Sequence, residues 1–168
     1  MTDLPIRKTN RLKTYDYSEN GAYFITLCTK DKKCILSHIV GGGVLDAPLV
    51  KLTKVGCIVD HRISEMNRIY QDVQTVKYAI MPNHIHLLIH IMKSEKSGPS
   101  RTPAPTNHII PQYISTLKRF CNRQAGESLF QRSYHDHVIR DQRDYDMMWQ
   151  YIDTNPARWE EDCFYTED

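Results

Sequence analysis

The chain has 168 residues, 40% hydrophobic and 25% charged, with a formal net charge of +2. That suits one globular domain with a real core and excludes a helical membrane protein, since no run approaches the ~20 apolar residues that span a bilayer. The opening MTDLPIRKTNRLK lacks the apolar centre of a signal peptide, and five scattered cysteines without a CxxC pair argue against a disulfide framework or zinc ribbon, so the expected setting is the cytoplasm, with no membrane partner.

Residues 1–20 read as a basic arm, and within 1–13 Arg7, Lys8, Arg11 and Lys13 stand against one acid, Asp3. Ala22 to Thr29 is rich in aromatic and β-branched residues and predicts a first strand. Asp31-Lys32-Lys33 reads as a turn, Cys34 to Val40 as a short strand, and Gly41-Gly42-Gly43 as a break. With no following GK[ST], that break is not a phosphate loop. From Pro48 to Tyr70 the residues Leu52, Val55, Val59, Ile63, Met66 and Tyr70 step by three and four, which predicts a helix with Pro48 in its first turn.

Val73 to Met81 is the next expected strand, and Pro82-Asn83 a tight turn into another. The second strand carries His84 and His86, separated by Ile85. Residues two apart in a strand face the same way, so two imidazoles aim at one point, the beginning of a transition-metal site. His90 is in phase with both. The plainer alternative is a set of satisfied structural histidines.

Residues 93–107, polar with three prolines, form an expected surface loop. His108 to Gln124 reads as a helix with Ile110, Ile114, Leu117 and Cys121 inward and Lys118, Arg119 and Arg123 outward, ended by Gly126. Residues 128–140 can be extended. A third helix begins at Asp141, with Asp144 in capping-box-like spacing, and ends at Asn155-Pro156. Its expected core stripe is Tyr145, Met148, Trp149 and Ile152. Tyr151 and Asn155, four apart, share another side; from this helix alone a partly buried surface tyrosine and a C-capping asparagine are the better account. The order of elements predicts an α+β fold of ferredoxin-like or RRM-like type, one domain over 1–168, whose antiparallel sheet carries helices mainly on one face.

The two basic clusters, 1–13 and 118–123, fit either ordinary solvated surface or a polyanion partner. The residues 160–168 are acidic. A histidine-triad hydrolase is excluded because the alternation fails at Leu88.

PNHIHLL at 82–88 resembles the His–hydrophobic–His (HUH) motif of single-tyrosine transposases. YIDTNP at 151–156 resembles the nucleophile helix of the REP-associated tyrosine transposase branch. LKTYDYSENGAYFITLCT at 12–29 resembles that branch's opening, and LFQRSYHDHVIRD at 129–141 its segment before the last helix. Related transposases often have Gln where this chain has Asn155.

The resemblance implies an enzyme, a DNA transposase acting on single-stranded or hairpin DNA, as monomer or homodimer and nucleoid-associated. Its nucleophile helix would be 141–156, with catalytic Tyr151, His84 and His86 and a Mg²⁺ or Mn²⁺ ion held by His84, His86 and Asn155. Tyr151 would form a 5′-phosphotyrosine link and release a 3′-OH. Lys118, Arg119, Arg123 and Arg132 would track the backbone, the arm residues Arg7, Lys8, Arg11 and Lys13 would reach a hairpin foot, and Tyr15 and Tyr17 would stack on bases. The alternative is a domesticated, non-catalytic module that binds single-stranded nucleic acid, since one fold serves both roles.

Overall fold

The computed structural model describes residues 20–41, 48–92 and 109–166. Positions 1–19 of the expected arm, with Arg7, Lys8, Arg11, Lys13, Tyr15 and Tyr17, and the expected 93–107 loop lie outside the described residues.

Nine elements are named here: β1 Gly21–Cys28, β2 Ser37–Val40, β3 Leu49–Leu52, α1 Lys54–Ile69, β4 Val73–Ile80, β5 His84–Ile91, α2 Ile109–Ala125, β6 His135–Ile139 and α3 Gln142–Thr154. A four-stranded antiparallel sheet has the order β4-β5-β1-β6. With α1 between β1 and β4 and α2 between β5 and β6, this is the ferredoxin-like arrangement. Among the described residues no helix is long and apolar enough to cross a membrane.

The central strands β1 and β5 are buried along nearly their whole length because both faces of the sheet are covered. Tyr23, Ile25 and Leu27 of β1 and Ile85, Leu87 and Ile89 of β5 pack with α1 and α2 in the main core. The alternate residues Phe24 and Leu88 meet Ile152 of α3 in a smaller core on the opposite face. His84 and His86 share the phase of Leu88 and therefore lie on the α3 side.

Two local readings are corrected. Pro48 does not open a helix: Leu49–Leu52 pairs with Ser37–Val40 as a separate two-stranded sheet. The helix begins after Thr53, whose hydroxyl accepts the Gly56 N–H at 3.0 Å. Nor is Trp149 a core residue; it is 38% exposed and lies under the Lys77 ammonium, 4.1 Å from its ring centre. By contrast Asp141 caps α3 as expected, accepting the Asp144 N–H at 2.8 Å, and Gly126 follows α2 at φ +77°.

Gly56 lies where α1 meets the segment before β2. A Cβ there would stand 2.0 Å from the Leu36 carbonyl oxygen. Gly56→Ala is therefore expected to lower stability by about 1–3 kcal/mol, read as a reduced urea midpoint with an unchanged slope.

Candidate active site

The site forms where the β4–β5 turn meets the C-terminal end of α3. β1 supplies Thr26, opposite His86, and Cys28, opposite His84. The His84 Nδ1 lies 2.9 Å from Asn83 Oδ1, and the His86 Nδ1 lies 2.9 Å from Thr26 Oγ1. The Asn83 amide nitrogen donates to the Phe164 carbonyl at 2.8 Å and to Thr166 Oγ1 at 3.1 Å, which fixes its oxygen towards His84. His84 thus donates from Nδ1 and keeps a lone pair on Nε2. In the metal-free arrangement the His86 Nε2–H therefore donates to that lone pair and its Nδ1 accepts the Thr26 hydroxyl; because Thr26 can also accept, His86 can switch tautomer when its Nε2 serves as a ligand. The two Nε2 atoms face each other at 2.9 Å.

An unexpected residue completes the group. The Asp162 side chain is fully buried, with Oδ2 3.9 Å from His84 Nε2 and 4.0 Å from His86 Nε2. That oxygen accepts the Tyr151 hydroxyl at 3.0 Å and the Asn155 Nδ2 at 2.5 Å. Its partner Oδ1 accepts the Phe164 N–H at 2.6 Å. The Tyr151 ring stands 5.2 Å from the His86 ring and edge-on to Phe24. Trp159 and Phe164 lean over His84, with ring centres at 5.8 and 4.9 Å.

Burial, reinforced by neighbouring His86 and opposed by Asp162, pushes the His84 pKa down to about 3. Burial likewise lowers His86, against the pull of Asp162. For Asp162, burial acts to raise the pKa, but the nearby His86 ring, the Asn155 amide and the Phe164 N–H outweigh it and hold the carboxyl below its usual range. Burial first, then the Asp162 charge, raise the Tyr151 hydroxyl above its ordinary value.

The donor set fits a divalent metal. His84, His86 and Asp162 offer ligand atoms all within 4.8 Å of one another. Asn155 Oδ1 is buried with no hydrogen-bond partner among the described residues, an orphaned acceptor that a cation would satisfy. Two neutral imidazoles with two oxygens suit a borderline ion such as Mn²⁺; Mg²⁺ prefers more oxygen.

The expected residues Tyr151, His84, His86 and Asn155 thus meet at one place. His90 does not join them. Six residues along β5 from His84, roughly 20 Å by strand rise, its Nε2 bonds the Tyr145 hydroxyl at 3.1 Å. Arg119 and Arg132 line a separate cleft of 470 Å³ between α2 and the segment entering β6, and Arg123 is exposed on the last turn of α2. Lys118 is corrected as a free cation. Its ammonium donates to the carbonyls of Gln131, Arg132 and Ser133 at 2.7, 3.3 and 3.0 Å, and burial pulls its pKa down to about 8.

Sequence reading missed Asp162, Asn83 and Thr26. Asp162 is one acid among several near the C-terminus, and no periodicity ties it to the histidines. Asn83 signals a turn and Thr26 a strand, and both are those things as well.

Two outcomes follow. Lys118→Met is expected to lower stability by about 1–2 kcal/mol in urea unfolding, a loss that a purely solvated cation would not give. Because the folded His84 pKa, about 3, lies below its ordinary 6.5, the unfolded chain binds the extra proton; metal-free protein should lose stability steadily as pH falls from 6.5 towards 3. His84→Gln should flatten that slope, measured by urea midpoints across pH.

No family model matches the chain. An uncharacterised protein of Haemophilus influenzae is 30% identical over 176 residues, spanning 96% of this chain and 94% of that protein. Another H. influenzae protein, described as a candidate REP-associated tyrosine transposase, is 25% identical over 156 residues, spanning 85% of this chain and 74% of that protein. The solved structure of a REP-associated tyrosine transposase bound to a REP hairpin is similar with a TM-score of 0.61 at 16% identity, covering 89% of this chain and 73% of that one, a likeness of fold. Taken together, the chain is similar in sequence to a relative described as a candidate REP-associated tyrosine transposase, and it shares the fold of a solved member of that branch.

Proposed function

We propose that the protein cleaves and rejoins single-stranded DNA beside hairpins, in a metal-dependent reaction with Tyr151 as nucleophile. The observation that carries this reading is the convergence of the Tyr151 hydroxyl, the Asn155 amide and two imidazole Nε2 atoms on one buried anion, the Asp162 carboxylate. A phosphodiester is also an anion, and the groups needed to attack and hold one stand around the same point.

In the first step the Tyr151 oxygen bonds to phosphorus and the P–O3′ bond breaks. The products are a 5′-phosphotyrosine and a 3′-oxygen that takes up a proton. In the reverse step a 3′-OH attacks that phosphorus and the tyrosine oxygen leaves, so the covalent link conserves the bond and no nucleotide triphosphate is consumed. The Tyr151 proton has an acceptor in Asp162 Oδ2, 3.0 Å away. The same carboxylate, with burial, keeps the hydroxyl protonated in the resting protein. Bound Mg²⁺ or Mn²⁺, held by the His84 and His86 Nε2 atoms with Asn155 Oδ1 and Asp162 as oxygen donors, would supply Lewis-acid stabilisation of the phosphate. Phe164 and Trp159 limit water around His84.

The Tyr151 ring stands 5.2 Å from His86 of its own chain, an arrangement compatible with attack in cis. Hairpin DNA is the partner suggested by the hairpin-bound relative. Arg119, Arg123 and Arg132, with Arg7, Lys8, Arg11 and Lys13, are the proposed backbone contacts. One observation favours the alternative of a non-catalytic single-strand binder: the carboxylate beside Tyr151 raises the hydroxyl's pKa rather than lowering it.

The test is incubation with labelled single-stranded hairpin oligonucleotides and Mn²⁺, followed by a denaturing gel. The expected result is a covalent protein–DNA band that requires the metal and disappears in Tyr151→Phe while DNA binding persists. Binding without any covalent band across a broad hairpin pool would establish the non-catalytic reading instead.

A further inference from the structure

A cleft of 320 Å³ opens beside Tyr151, and its walls include Asn155, Asp162, Glu161 and Arg158. Tyr151, Asn155 and Arg158 succeed one another at steps of four and three, along the last turn of α3 and the 3₁₀ helix Asn155–Glu161 that continues it. The position is hostile to a phosphodiester. Asp162 and Glu161 are carboxylates, and the carbonyl end of α3 adds the negative pole of a helix. Among the described residues Arg158 is the single cationic side chain on the cleft wall.

Its guanidinium is loosely committed. Nε and one terminal nitrogen both reach Glu161 Oε2, at 2.8 and 2.6 Å, and the two side chains are 67% and 65% exposed. A pair that open to water is weakly held. Arg158 and Glu161 also line a second cleft of 290 Å³, bounded by Ile39, Pro48 and Trp159. The ion pair is thus the partition between two clefts, and a strand running from one into the other crosses the guanidinium before it reaches Tyr151.

We infer that Arg158 is a phosphate-binding residue for the strand being cut: it exchanges Glu161 for a backbone phosphate within one nucleotide of the bond that Tyr151 attacks. The planar fork of arginine suits two phosphate oxygens at once, where lysine offers a point charge. The inference rests on the proposed DNA cleavage for its location, but its binding consequence is independent of chemistry.

Two measurements test it on the full-length protein. The first is fluorescence anisotropy of labelled hairpin oligonucleotide without metal, over a range of salt. Arg158→Ala should weaken binding about tenfold and reduce the slope of log K against log salt by about 0.7, the value for one single-strand phosphate contact. Arg158→Lys should recover the slope but not all the affinity, and Glu161→Ala should tighten binding. Unchanged affinity and slope in Arg158→Ala overturn the inference, whether or not the wild type cleaves.

The second measurement is the single-turnover rate of covalent adduct formation with Mn²⁺. Oligonucleotides carry one neutral methylphosphonate, flanking the cleavage point on either side in turn. Arg158→Ala should slow the reaction on ordinary DNA roughly a hundredfold. At one methylphosphonate position wild type and variant should become equal, because the charge that Arg158 meets is gone. Penalties that simply add at both positions overturn the assignment. A wild type that forms no adduct refutes the cleavage reading alone, and the binding slope then decides Arg158.

Discussion

Two imidazoles whose Nε2 atoms stand 2.9 Å apart inside the protein cannot both be charged, and much of the site follows from that constraint. Burial disfavours charge on each, and each disfavours charge on the other. The resulting neutral pair is what a cation binds. It exists because β1 and β5 are covered on both faces and because their register sets Thr26 opposite His86 and Cys28 opposite His84. A slip of one residue would turn both imidazoles to the α1–α2 side. The Nδ1 contacts to Asn83 and Thr26 then set the ring orientations, as outer contacts do for metal-bound histidines.

Against this neutral pair stands a concentration of negative charge. Asp162 is held ionised by its neighbours, Glu161 lies on the cleft wall, and α3 ends with its carbonyls towards the site. The compensation comes from groups of opposite character: the imidazole lone pairs that attract a cation, and the guanidinium of Arg158. Lys32, close enough to His84 to lower its pKa, adds positive potential. On the proposed function, a DNA backbone entering the cleft would meet an alternating field rather than a uniformly basic groove, which would favour one placement of the phosphates over others.

Much of this was legible from local pattern. A His-x-His pair after Pro-Asn encodes two side chains on one strand face, and the four-residue step from Tyr151 to Asn155 encodes one helix side. The Asp141 cap is equally local. The failures have a common cause in non-local pairing. Leu49–Leu52 was read as helix because Leu52 continues the periodicity of Val55 and Val59 and Pro48 suits a helix start; only its partner strand Ser37–Val40 makes it extended. Trp149 falls on the apolar stripe of α3, but it stays partly exposed and is covered by the Lys77 ammonium instead. Lys118 is charged and next to Arg119, which reads as a basic patch until the chain folds three carbonyls around its ammonium. Asp162 sits beyond α3 in a run without periodicity, so nothing local distinguishes it from Glu160 or Glu161.

The close approach of Gly56 to Leu36 reaches further than the helix it belongs to. The Leu36 N–H donates to the Pro82 carbonyl at 3.0 Å, and the neighbouring Ser37 hydroxyl donates to the Ile80 carbonyl at 2.8 Å. Thr29 holds the Asn83 carbonyl with both its N–H and its hydroxyl, at 2.8 and 3.0 Å. The turn that presents Asn83 to His84 is therefore clamped from two sides, one of them by the seat of α1. Helix docking and imidazole aim are mechanically one adjustment. A small side chain substituted on the far side of the sheet would act as a detuning screw on the candidate metal site, spreading the donor atoms long before the fold itself gave way.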